Sequence, residues 1–146
     1  MDPDRIQHAV IQWECQQHLH KVSLLTDRQD WKGLAMCYAE DGVLTRPSDP
    51  KNPIVGRDAI LASFRARPPR ITAHLLGNSV FEIAEPTLVK VVSRVWLVSA
   101  PKGEADGAAI ADSPLLAGTF VDELVHDGDR WLISCRDGSV EVKFGQ

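Results

Sequence analysis

The chain has 146 residues, 44% of them hydrophobic and 25% charged, and carries a formal net charge of −4. A chain of this size buries roughly 70% of its unfolded surface, so it needs no metal or disulfide to hold a core. The mild acidity and the lack of a basic cluster argue against nucleic acid and anionic membrane partners, and no apolar run of about twenty residues exists to span a bilayer.

The opening residues, MDPDRIQHAV, lack the basic-then-apolar order of a secretory signal. Three scattered cysteines, Cys15, Cys37 and Cys135, suit neither a disulfide framework nor a zinc site, and a cytoplasmic location with reduced thiols is expected. From Asp4 to Thr26 there is no Gly or Pro, and Ile11, Cys15, Leu19, Val22 and Leu25 recur at helical spacing. A second stripe, Ile6, Val10, Trp13, Gln17, His20, Leu24 and Asp27, lies around the cylinder from the first. It predicts a helix covered on two sides, by a sheet and by another helix or a partner. A second helix is expected from Asp30, as N-cap, through Tyr38, ended by Gly42. Pro47 to Pro53 reads as a loop, with a short strand at Val43–Arg46 before it. A third helix starts at Gly56-Arg57-Asp58 and carries Ile60, Leu61 and Phe64 before the Arg-Pro-Pro stop.

After Pro69 the period changes from helical to alternating. Strands are expected at Ile71–Ile83, Leu88–Ala100, Leu115–Val125 and Trp131–Val142, joined by hairpins, with a long connection over Pro101–Pro114. Nothing divides the chain, so residues 1–146 read as one domain. The fold class is α+β: three N-terminal helices packed on a curved antiparallel sheet.

The order of elements and four segments, Leu24–Leu44 (LLTDRQDWKGLAMCYAEDGVL), Ile54–Phe64 (IVGRDAILASF), Ile71–Asn78 (ITAHLLGN) and Gly118–Arg136 (GTFVDELVHDGDRWLISCR), resemble the nuclear transport factor 2-like superfamily. Within it the chain is similar to the branch holding scytalone dehydratase, the SnoaL-like polyketide cyclases and the β subunits of ring-hydroxylating dioxygenases. The resemblance implies a cone-shaped fold with a pocket between the concave sheet face and the first helices. It also implies an acid–base site, with the dehydratase aspartate falling on Asp27 and one of its histidines on His74. Its second histidine falls near Ser99, and two of its tyrosines fall on Thr26 and Arg46, so the substrate-polarising groups differ.

An Asp and a His on different elements make an orienting pair: the carboxylate takes one ring N–H and leaves the other nitrogen for proton transfer. This suits proton abstraction beside a carbonyl, elimination or isomerisation. The residues alone also allow a plainer assignment, with Asp27 capping the next helix and His74 satisfied within a strand. If strand alternation is unbroken, Asn78 shares a face with His74 and can bind a substrate oxygen. Arg46 or Arg94 can hold an anionic group, or Arg94, Arg136 and Asp122 can pair across the sheet. Among the aromatics, core residues by default, Trp96 and Phe120 are candidates to line the pocket. His18 and His20, two apart on a helix, face different ways, so no metal site is expected. No glycine-rich phosphate loop or nucleophile elbow occurs, and no cofactor is expected.

The function expected is that of a cofactor-independent dehydratase or isomerase acting on a small hydrophobic, carbonyl-bearing polyketide or aromatic metabolite. The rival is a non-catalytic ligand-binding or structural module resembling a dioxygenase β subunit. A homodimer or larger homo-oligomer is expected from Val91, Val92, Val95, Trp96, Leu97 and Val98, which make both faces of one strand apolar.

Overall fold

The computed structural model describes residues 2–103 and 106–145. Helix α1 spans Pro3–Asp27, α2 Trp31–Ala35 and α3 Arg57–Arg65. Strands β1 (Tyr38–Arg46), β2 (Asp49–Val55), β3 (Arg70–Glu85), β4 (Leu88–Pro101), β5 (Leu115–His126) and β6 (Trp131–Phe144) form one sheet in the order β2-β1-β6-β5-β4-β3. The helices lie against one face of this sheet. The architecture is the expected α+β fold, but the sheet is mixed rather than wholly antiparallel, because β1 pairs with β6 in parallel. A parallel pair needs a long crossover. Here the crossover is everything between the first strand and the last, β2 to β5 with α3 among them, so neighbouring turns give no sign of it.

Two other expectations are corrected. The second helix stops at Ala35, one turn after Asp30 caps it by accepting from the Gly33 N–H at 2.9 Å, and Tyr38 already belongs to β1. Pro47–Pro53 is not a loop. It is the hairpin into β2, which is exposed except at Ile54 and forms one edge of the sheet. Proline cannot donate to a ladder, so Pro50 and Pro53 fit only such an edge, and there they discourage pairing with a further strand. Within the expected connection over residues 101–114, Glu104 and Ala105 lie outside the described residues.

The core is continuous from α1 to β6. Ile11, Cys15, Leu19 and Val22, from the first of the two expected stripes of α1, pack in one core with Leu34, Ile60 and Phe64 from the other helices and Val89, Val91, Leu124 and Ile133 from the sheet. Among the described residues no helix or strand of this chain covers the second stripe of α1 at Ile6, Val10, Trp13 and Leu24, which are all exposed, Trp13 by 61%. Among the described residues no helix is long and apolar enough to cross a membrane.

Close strand packing sets one further condition. A β carbon built on Gly118 would lie 2.0 Å from the Ser139 carbonyl oxygen, beside the bulge where β5 shifts register against β6. Only hydrogen fits there. Gly118→Ala should destabilise the protein by about 1–3 kcal/mol through overpacking. Thermal unfolding would show this as a midpoint lowered by about 2–12 °C, and an unchanged midpoint would contradict the close approach.

Candidate functional site

Asp27 is the last residue of α1. The chain reverses directly after it, with Gln29 in the left-handed region at φ 58°, and the Gln29 side-chain amide donates to the Arg70 carbonyl oxygen. The helix end is thereby tied to the start of β3, two and four residues before Thr72 and His74. The Asp27 carboxylate then accepts three hydrogen bonds from that strand. Thr72 Oγ1 donates to Oδ1 at 2.9 Å, the His74 backbone N–H to Oδ2 at 2.9 Å, and His74 Nδ1 to Oδ1 at 2.6 Å. A carboxylate can only accept, so in the neutral ring this contact puts the proton on Nδ1 and leaves the lone pair on Nε2. Asp27 does not cap α2; Asp30 does. The His74 and Asp27 side chains are only 14% and 20% exposed.

His74 forms part of the wall of a cavity of about 840 Å³ between the inner sheet face and the helices. Much of this wall is apolar, including Leu44, Val95, Leu97, Leu116 and Phe120, and Arg46 and Ser99 also belong to it. The volume and lining suit a small hydrophobic ligand with a few fixed polar contacts. Of the residues singled out from sequence, His74, Arg46 and Phe120 thus line one space, and Asp27 is joined to it through His74. Asn78, Arg94 and Trp96 do not.

Each displaced residue has a physical cause. Asn78 stands at φ 49° in a bulge, where the β3 register against β4 shifts between Gly77 and Val80. The extra residue reverses the alternation, so Asn78 is exposed and Ser79 turns inward to bond Ser93 Oγ at 2.8 Å. On β4 the buried and exposed residues alternate from Val89 to Ser99: Val91, Ser93 and Val95 face in, and Val92, Arg94 and Trp96 face out. Trp96 is accordingly 52% exposed, and Arg94 bonds Thr119 Oγ1 at 2.9 Å and lies 3.8 Å from Glu141 on the outer face.

Arg136 and Asp122 form a buried bidentate pair, Nε to Oδ1 at 2.7 Å and Nη2 to Oδ2 at 2.9 Å. The plainer of the two readings for these residues is the one that holds. Burial would lower the Arg136 guanidinium, but the charge and hydrogen bonds of Asp122 outweigh it and hold the group above its ordinary value. Burial pushes the Cys15 thiol up to about 12 and raises Cys37 and Cys135, so none is an activated nucleophile. His18 Nε2 donates to the Cys37 carbonyl oxygen at 3.0 Å, whereas His20 is exposed. Burial, the largest influence on His18, lowers its pKa and favours the neutral ring.

Four residues of the site were not singled out from sequence as site residues. Thr72 precedes His74 by two and shares its face, which strand alternation alone would have suggested. Arg67 read as part of a helix stop but lines the cavity. Tyr38 read as the apolar side of a helix; it is a buried cavity-wall residue whose phenol burial pushes up to about 12. Ser99 was noted only as the place of an absent histidine.

The SnoaL-like domain family matches residues 7–137 of this chain. Among solved structures, a candidate scytalone dehydratase from Novosphingobium aromaticivorans DSM 12444 superposes with a TM-score of 0.81 at 18% identity, covering 97% of this chain and 91% of that one. A type 2 hexachlorocyclohexane dehydrochlorinase, LinA, gives 0.79 at 15% identity over 95% and 90%. A protein from Catenulispora acidiphila, solved in complex with S-DNPA, gives 0.71 at 22% identity over 90% and 94%. Identities this low establish a shared fold and no more. No functionally curated protein matches the sequence. The family match covers nearly the whole chain, and the protein belongs to the SnoaL-like domain family within the nuclear transport factor 2-like superfamily.

Proposed function

We propose that the protein is a cofactor-independent acid–base enzyme, a dehydratase or isomerase, acting on a small hydrophobic molecule that carries a carbonyl group. The observation that carries this reading is His74 on the wall of the cavity, with its Nδ1 hydrogen-bonded to Asp27 at 2.6 Å from behind. Nε2 is then the nitrogen available to take a proton from a carbon beside the ligand carbonyl. The C–H electron pair becomes the new C=C bond as the hydroxyl group departs from the next carbon with its own pair, and the proton held on Nε2 passes to it to give water and the neutral ring. In isomerisation the proton returns at a different carbon. The Asp27 charge stabilises the imidazolium formed in between. The test is incubation in D2O with hydrophobic ketones and β-hydroxy ketones. Expected are enzyme-dependent deuterium uptake beside the carbonyl and the rise of enone absorbance, and rates equal to buffer across the set would overturn the reading.

We also infer that the protein assembles with itself through the outer sheet face, in the reducing cytoplasm where its three cysteines stay free. Leu75 pairs with Trp96 and Val80 with Val92 across β3 and β4, and the four are 70%, 52%, 72% and 48% exposed; large apolar side chains grouped in this way on an open face favour an interface. Sedimentation of the purified protein should give a homodimer or larger homo-oligomer. A monomer at tens of micromolar would refute this, and stable association only with a larger, different chain would favour the non-catalytic subunit reading.

A further inference from the structure

The cavity wall bears charge of one sign. Arg46, Arg67, Arg136 and Lys143 line it together with His74, and among the described residues no aspartate or glutamate does, although the whole chain is net negative at −4. Arg136 is already neutralised by Asp122. Arg46 and Arg67 are not: among the described residues neither takes part in an ion pair. They come from different elements, the end of β1 and the turn after α3, and both lie against one ring. Their guanidinium carbons lie 5.3 and 4.1 Å from the Phe64 centroid. Arg46 Nη2 donates to Ser63 Oγ at 2.7 Å, while its Nε is buried with no hydrogen-bond partner.

Attraction to an aromatic face positions a guanidinium but does not neutralise it. Two such groups held together without a carboxylate repel each other and lose hydration. Arg67 shows the consequence: although the residue as a whole is exposed, its guanidinium is pushed down to about 10, chiefly by burial of that group and next by the charge of Arg46. An anion bound between the two would relieve both effects, and the planar forks of arginine suit a carboxylate.

We propose that Arg46 and Arg67 form an anion subsite within the cavity, and that the ligand is an organic acid: a carboxylate borne on a flat apolar body. The subsite rests on the reading of the cavity as a ligand site but not on proton transfer by His74. The carboxylate engages the two guanidinium groups, and the apolar body lies against walls such as Leu44, Leu97 and Phe120.

The test is calorimetric titration of the protein with 2-naphthoate and with 2-naphthamide, which share size and shape and differ in charge. The wild-type protein should bind the acid about ten-fold or more tightly than the amide. Arg67→Gln, at a surface-accessible position after α3, should reduce that preference to within about three-fold, and Arg46→Gln should do the same where it folds. His74→Ala should keep the preference, so that a failure of the catalytic reading leaves this one standing. Equal affinities in the wild type, a full preference surviving Arg67→Gln, or binding of neither probe at millimolar concentration would overturn the proposal.

Discussion

His74→Ala should lower turnover by about 10² to 10⁴-fold on whichever ketone the deuterium-exchange test selects, the range typical of a positioned acid–base group. The fold should survive, because the ring faces a cavity and its removal exposes no core. Asp27→Asn should approach the same loss by a different route. The carboxylate presents acceptors to three donors, the Thr72 hydroxyl, the His74 backbone N–H and His74 Nδ1. An amide has one oxygen and one NH2 group, so it cannot accept on both sides. If its oxygen keeps the backbone N–H, its NH2 meets Nδ1 and forces the ring proton to Nε2, which removes the base. Asp27 is a positioning residue on this account, and nitrogen NMR of the imidazole should report the change of tautomer independently of rate. Turnover within about three-fold of wild type in His74→Ala would sink the assignment, and an unchanged tautomer in Asp27→Asn would sink the account of Asp27.

The sequence disclosed what depends on local periodicity. The inner stripe of α1, the Asp30 cap, the third helix and the four long strands follow from spacing and punctuation alone. The Asp27–His74 meeting came from resemblance, since 47 residues separate the two and no periodicity reports such a contact. Long-range pairing was equally hidden: the parallel β1–β6 contact joins the two ends of the sheet-forming sequence. The errors at Asn78 and Trp96 differ in kind. A bulge inserts one residue and inverts the strand face beyond it, and the Gly77-Asn78 pair, suited to a left-handed backbone, was the one local sign. Trp96 was readable. Lys90 and Arg94 hold even positions on β4 and belong outside, so Trp96, also even, belongs outside with them, while Leu97 and Ser99 face the cavity.

The largest stability effect should come from Arg136→Met. Its guanidinium forms two parallel hydrogen bonds to Asp122, lies 4.0 Å above the centre of the Phe120 ring, and is 5% exposed, with the Asp122 side chain at 0%. Two charges withdrawn from water are tolerated because each answers the other. Removing one strands its partner in a medium that cannot solvate it, a loss of about 3–5 kcal/mol. For a domain of this size that is a fall in midpoint of roughly 6–20 °C. Replacing both, as Asp122→Leu with Arg136→Met, leaves no orphaned charge and should recover most of the loss, since an apolar pair of similar volume often matches a buried ion pair. The double variant also separates the arginines of the cavity by role. Arg136, neutralised from behind by Asp122, contributes little field to the cavity, so the double variant should still prefer naphthoate to naphthamide. A double variant as unstable as Arg136→Met alone would show that packing around Phe120, not charge pairing, sets the value of this residue.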